Sequence, residues 1–204
     1  FLVKEHPDVL KDFASILGGR YEVTRNDELF YVPEGKKLRL SMDESSSSVR
    51  SLLDLGFYLR HIAQKGDLLM IDEPELNLHP ENQRLVARLL ARLVNIGIKV
   101  FVTTHSDYLV KEVNTLVMLS RDEPRLKELA AREGYVREEL LAPARIKAYI
   151  AKEDLVRCPG SQRSSRRQTL VPVVVDEHGM NLASFDDAIE DLARIQDEII
   201  WGGR

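Results

Sequence analysis

An α/β fold, with parallel strands flanked by helices and a small α+β extension behind it, is what the 204-residue sequence predicts. Three observations lead there. Helix-like and strand-like patterns alternate from Val49 to Ser120, the order that builds a parallel sheet. Two runs, DLLMI and IKVFVTT, are apolar without the alternation of a half-exposed strand, as expected when helices cover both sheet faces. After Ser120 the chain turns charged and polar, so a boundary is expected near residue 120, dividing 1–120 from 121–204.

The elements follow in order. Val9, Leu10, Phe13, Ile16 and Leu17 recur on one face of a helix over 7–17, which Gly18-Gly19 stops. RYEVT, ELFYV and KLRLSM read as three short strands of a meander, with turn chemistry in RNDE and PEGK. Ser45 to Ser48 lead into a helix over 49–64, striped by Leu52, Leu55, Leu59 and Ile62 and ended by Lys65-Gly66. The DLLMI strand precedes a helix over 81–95, closed by Gly97. IKVFVTT is the second buried strand, with His105 at its C-terminal end. SDYLVKEVNT reads as a helix and LVMLS as a third strand. Beyond it, helices are expected over 124–132 and 137–151, with a polar basic loop at RCPGSQRSSRRQ. TLVPVVV and MNLAS form a hairpin about DEHG, and Ser184 with Asp187 resembles a capping box for a last helix ending near Ile200.

Composition narrows the function classes only modestly. Lys and Arg total 29 against 33 Asp and Glu, a net charge of −4, so bulk charge does not point to a polyanion partner. Cys158 is the only cysteine, which excludes an internal disulfide and any Cys-rich zinc site and fits a reducing cytosol. No apolar run reaches membrane-spanning length, and FLVKEHPDVLKDF is too polar for a signal peptide. The expectation is a cytoplasmic protein with no membrane partner.

The chemistry concentrates in DLLMIDEPELNLHP, where a buried strand ends on two adjacent acids, Asp72 and Glu73. Their repulsion is costly unless something cationic completes the site. Open α/β sheets bind ligands at the C-terminal edge of their strands. One acid there can hold Mg2+ beside nucleotide phosphates, and a second can orient and deprotonate an attacking water. A solvated acidic turn is the plain alternative. His105 ends the next strand; a lone histidine is more often structural, but this one sits one helix beyond the paired acids. The serines before the 49–64 helix can bind phosphate through hydroxyls and backbone N–H groups, or serve only as an N-cap. Arg50, in that helix's first turn, either adds a cation there or lies in solvent.

Taken together, these segments resemble the ABC-type ATPase superfamily. The nearest likeness is to the bacterial AAA/ABC-like ATPases related to overcoming-lysogenisation-defect, DNA-repair and chromosome-structure proteins. LLMIDEPELNLHP is similar to the Walker B strand and D-loop, VFVTTHS to the switch strand, and ESSSSVRSLLDL to the signature segment, with Ser48 where glycine is usual. The match covers roughly 40–120. The resemblance implies the C-terminal lobe of a P-loop NTPase using ATP and Mg2+, with Asp72 as the magnesium acid, Glu73 as the catalytic base and His105 at the γ-phosphate. It also implies that Ser46, Ser47 and Ser48, with Asn77 and His79 of the D-loop, act at an interface with a second protomer across the nucleotide.

No GxxxxGK(S/T) phosphate loop occurs in the sequence. The expectation is therefore a C-terminal part of a longer ATPase, inactive alone and active at full length. Its work would be DNA maintenance or phage defence, with DNA or a nuclease as possible further partners. A transporter's nucleotide-binding subunit and a non-catalytic interaction module are the alternatives. Asp176-Glu177, which repeats the acid pair before Gly179, reads as a hairpin tip, and His178 belongs to the same turn. Arg157, Arg163, Arg166 and Arg167 lie in an acid-free stretch that can touch a phosphate backbone or remain solvated.

Overall fold

A computed structural model describes residues 5–157, 164–180 and 194–199. They belong to two compact units, Phe1–Leu141 and Ala142–Arg204.

The first unit opens with α1 (Pro7–Leu17), which buries Val9, Phe13, Ile16 and Leu17. It ends where Gly18 takes a left-handed φ of 66° and its N–H caps the carbonyls of Ala14 and Ser15. The expected meander follows as β1 (Gly19–Val23), β2 (Leu29–Pro33) and β3 (Leu40–Ser41), antiparallel in that order. Gly19 serves a different need from its neighbour, because a Cβ there would lie 2.3 Å from the carbonyl oxygen of Val32.

The helix expected over 49–64 is broken into three pieces. They are α2 (Ser47–Ser51), α3 (Leu53–Phe57) and a π-helical turn over Tyr58–Ile62, closed by a bond from the Ala63 N–H to the Tyr58 carbonyl. The wider π turn rotates the stripe, so Leu52, Leu55 and Leu59 are buried while Ile62 faces solvent.

β4 (Leu68–Asp72) and β5 (Lys99–Thr103) pair in parallel, joined by α4 (Pro80–Asn95). Leu69, Ile71, Val100 and Val102 pack on the main core with Leu59, Val86, Leu89 and Leu93. The opposite face was expected to be covered as well, and it is not: Leu68, Met70 and Phe101 are 60%, 64% and 52% exposed. The described helices cover one side of this two-stranded sheet only.

LVMLS, expected as a third strand, is instead the end of α5 (Asp107–Met118) and the turn after it. Leu116 and Val117 are buried and belong to a helix whose Leu109 and Glu112 are buried too. A four-residue apolar run has no periodicity to separate strand from helix, and burial decided it. α6 (Pro124–Arg132) forms as expected, and Leu126 and Ala130 pack with Leu119. The first unit therefore continues past residue 120.

α4 holds this unit together on its polar side as well. Arg84, Arg88 and Arg92, spaced one turn apart, reach three different segments. Arg84 pairs with buried Glu112 at 2.7 Å, Arg88 with Glu139 at 2.7 Å, and Arg92 with Asp8 and Asp12. Asp12 has its carboxyl pKa raised by burial, which outweighs the opposing pull of Arg92.

In the second unit, the expected helix over 137–151 does not form. Arg137–Glu139, still in the first unit, and Pro143–Arg145 are single 3-10 turns, and Ala148–Arg157 is strand β6. β6 pairs antiparallel with β7 (Ser164–Val173). β8 (Val175–Asp176) and β9 (Gly179–Met180) make a small hairpin whose turn holds the N–H of His178 on Asp176 Oδ1 at 2.8 Å, the tip read from DEHG. Ser184, Asp187 and Arg163 lie outside the described residues; residues 194–199 are helical. Among the described residues, no helix is long and apolar enough to cross a membrane.

Candidate active site

β4 and β5 run in register, so their C-terminal ends deliver Asp72 and Thr103 side by side. The Thr103 hydroxyl donates to Asp72 Oδ1. Asp72 is exposed, and no hydrogen bond from a described residue reaches its Oδ2. Directly after the strand the chain turns sharply: Glu73 has a φ of 47°, and its N–H donates to the Thr103 carbonyl at 3.1 Å. A non-glycine residue in the left-handed region costs on the order of 1–3 kcal/mol. The turn aims the Glu73 carboxylate toward the end of β5, where Oε1 lies 3.6 Å from His105 Nε2.

That contact does not repay the backbone. The two side chains are 37% and 87% exposed, and a polar contact so open to water contributes at most about 1 kcal/mol. The strained turn is better understood as a means of placing a carboxylate beside an accessible imidazole than as a source of stability.

The D-loop follows. Pro74 and Glu75 are buried, Asn77 has a φ of 62°, and Leu78 is a core residue. Asn77 Nδ2 donates to Ser51 Oγ at 3.1 Å, tying the D-loop to the signature-like helix α2. His79 is the N-cap of α4, its Nδ1 accepting from the Glu81 N–H at 3.4 Å. Glu73, Glu75, Asn77, His105 and Asp107 are among the residues lining an open cleft of about 490 Å³.

The serines divide by role. Ser45 is buried and donates to the Ser41 carbonyl at 2.8 Å, so it shapes the loop. Ser46 is the N-cap of α2 and lies 2.8 Å from Ser48 Oγ, while Ser47 is exposed. Arg50 donates to the carbonyls of Ser45 and Met42, which fixes the loop rather than offering a free cation. The structure thus brings Glu73 to His105 and sets Asp72 beside Thr103. It joins Asn77 to α2 through Ser51, and leaves Ser46, Ser47 and Ser48 engaged with their own helix start.

Four contributors escaped the sequence pattern. Thr103 was recoverable from the parallel register opposite Asp72. Ser51 lies one turn beyond Ser47, to whose carbonyl it donates at 2.8 Å. Glu75 stood in the quoted motif without a role. Gln83 gave no signal: its Nε2 donates to the Leu78 carbonyl at 2.9 Å and its Oε1 accepts from the Ser106 hydroxyl.

The sequence profile of the AAA ATPase domain family matches residues 3–110, a span holding the β4–β5 pair and the loop between β4 and α4. The chain belongs to the AAA ATPase domain family. This ATPase domain has no match among curated proteins. A solved structure described under "Structural biochemistry of ATP-driven dimerization and DNA stimulated activation of SMC ATPases" shares 15% identity with it. The alignment covers 95% of this chain and 94% of that one, with a TM-score of 0.44.

Proposed function

We propose that this AAA ATPase domain supplies the magnesium acid, the catalytic base, the switch histidine and the dimer-facing loops of an ATP-hydrolysing enzyme. The phosphate loop would come from residues outside the 204. The observation that carries the reading is the strained turn at Glu73, which sets a carboxylate 3.6 Å from an exposed His105 at the C-terminal edge of two parallel strands.

Asp72 fits a magnesium site of the kind that uses one or two carboxylates alongside water and phosphate, since its second oxygen makes no bond to a described residue. When bound, Mg2+ would neutralise charge on the triphosphate. Thr103 orients Asp72 by its hydrogen bond. Glu73 takes a proton from the attacking water, and its backbone, held on Thr103, keeps the carboxylate from swinging back into the turn. His105 presents Nε2 toward the γ-phosphate from an anchored loop. Ser46, Ser47, Ser48, Asn77 and His79 would face the nucleotide of a second protomer, where the start of α2 offers hydroxyls to phosphate.

The open apolar face of β4–β5 supports the idea that further sheet-covering structure belongs here, because Leu68, Met70 and Phe101 are the residues of a strand pair made for burial on both sides. The hydrolysis cycle would serve DNA maintenance or phage defence.

The test is Glu73→Gln in the full-length protein. Hydrolysis should fall by about 10²- to 10⁴-fold while an ATP-bound dimer accumulates. Normal turnover by that variant would remove Glu73 from the role of base. The 204-residue chain alone should not hydrolyse ATP; robust turnover by it, abolished by Glu73→Gln, would overturn the placing of the phosphate loop elsewhere and keep the site.

A further inference from the structure

We propose that Glu75 is a positioning residue: its buried carboxylate locks the His105 loop to the D-loop, so that histidine and dimer-facing loop move as one body. The inference rests on the reading of His105 as the switch residue.

Glu75 is only 7% exposed. One of its oxygens, Oε1, accepts two hydrogen bonds from the chain beyond β5: from Thr104 Oγ1 at 2.6 Å and from the His105 N–H at 2.9 Å. The bond to His105 uses the backbone and leaves the imidazole free in the cleft. Hydrogen bonds to an ionisable acceptor away from water are the strong ones, and losing them strands both donors. The lock is reinforced at both ends. Thr104 Oγ1 also accepts from the Ser106 N–H at 3.0 Å, so Glu75 braces the whole 104–106 turn. Gln83 ties Leu78, at the far end of the D-loop, to Ser106.

The D-loop and the switch loop are thus cross-linked by side chains at two points, although 29 residues separate Glu75 from Thr104. The consequence is directional. A shift of the D-loop on meeting a second protomer would be carried through Glu75 to His105, and displacements of about 1 Å at a reacting group cost on the order of 10²-fold in rate.

Two measurements separate this proposal from the reading beneath it. The first needs no ATP: hydrogen exchange at the His105 amide of the chain. It should quicken about ten-fold or more in Glu75→Ala and stay near parental in Glu75→Gln, which keeps an acceptor oxygen, while amides of the α4 core remain protected. The second is steady-state hydrolysis by the full-length protein. Glu75→Ala should lower kcat by about 10- to 100-fold with KM for ATP within about two-fold, and Glu75→Gln should recover to within about three-fold of the parent. Thr104→Val, a milder cut at the same lock, should lower kcat by a smaller factor and add nothing to Glu75→Ala in the double variant.

Parental exchange at His105 in Glu75→Ala overturns the proposal. So does equal loss of kcat in the alanine and glutamine variants, which would make the negative charge itself the active feature. General loss of α4 protection with the kcat loss would also overturn it, as a merely structural role. If Glu75→Ala does not fold, parental exchange at the His105 amide together with parental kcat in Thr104→Val sinks it instead. Unchanged hydrolysis in His105→Ala would remove the switch reading, and the exchange result would still decide whether Glu75 holds the loop.

Discussion

Replacing Arg88 by alanine should destabilise the first unit by about 3 kcal/mol, and the figure follows from what that side chain holds. Arg88 donates to Glu139 Oε2 through Nε at 3.0 Å and Nη2 at 2.7 Å, donates again to the Gly134 carbonyl, and lies 4.4 Å over the Tyr135 ring. The two side chains are 16% and 10% exposed, so the pair is largely withdrawn from water. Breaking a buried pair from one side costs about 3–5 kcal/mol, chiefly because the partner charge is stranded. Glu139 keeps one bond, from the Val136 N–H at 3.1 Å, and some access to solvent, which sets the low end of that range. With a urea m-value of about 2 kcal/mol/M, the loss is a midpoint shift of about 1.5 M, read by far-ultraviolet circular dichroism. Arg88→Met with Glu139→Leu should recover most of it, since no charge is then left unpaired. A shift below about 0.5 M for Arg88→Ala would mean that the Arg88–Glu139 pair does not hold the 134–139 segment on α4.

Two further outcomes follow from other parts of the molecule. The Tyr58 hydroxyl donates to Asp67 Oδ2 at 3.0 Å, and burial first, then that bond, raise its pKa from 10.0 to about 12. Because the folded state holds this proton more tightly, the stabilisation is complete below about pH 10 and is lost as pH climbs through about 12. The stability gap between the parent and Tyr58→Phe, measured by urea midpoints, should therefore close over that window; a gap independent of pH would refute the assignment. On β7, Arg166 and Arg167 are exposed, opposite Leu155 and Asp154 in register. If they contact a phosphate backbone, Arg166→Ser with Arg167→Ser should weaken duplex DNA binding uniformly and lower the salt-dependence slope by about 2, whereas an unchanged slope by fluorescence anisotropy would exclude them.

What the sequence made legible was decided by how local the physics is. α1, the meander and α4 were readable because periodicity, a left-handed glycine and a proline at a helix start all act within a few residues. Gly18 and Gly19 show the limit. One stops a helix through its own φ, which the GG pair announces; the other admits the Val32 carbonyl, which depends on a strand thirteen residues away. The failures share that character. LVMLS ends a helix with Leu116 and Val117 buried, and 148–157 is a strand because it has β7 to pair with. The apolar runs of β4 and β5 predict cover on both faces, yet the described helices cover one, because a pattern of apolar residues reports a need for burial without saying which residues meet it.

The candidate site divides along the same line, and the division explains why its most informative residue was overlooked. Asp72, Glu73 and His105 stand out in the sequence because each polar group follows closely on an apolar run. Glu75 performs the opposite task. One oxygen of its carboxylate holds Thr104 and His105 while the other is buried without a hydrogen-bond partner among the described residues, so in sequence it is one more acid in an acidic turn, and only its burial distinguishes it. A loop can be rigid without being packed if its few backbone donors are held by a buried acceptor, and that is how an exposed imidazole is kept within 3.6 Å of a glutamate across separate turns. The two bonds to buried Glu75 thus constrain the backbone at His105 more firmly than its exposed contact with Glu73 does.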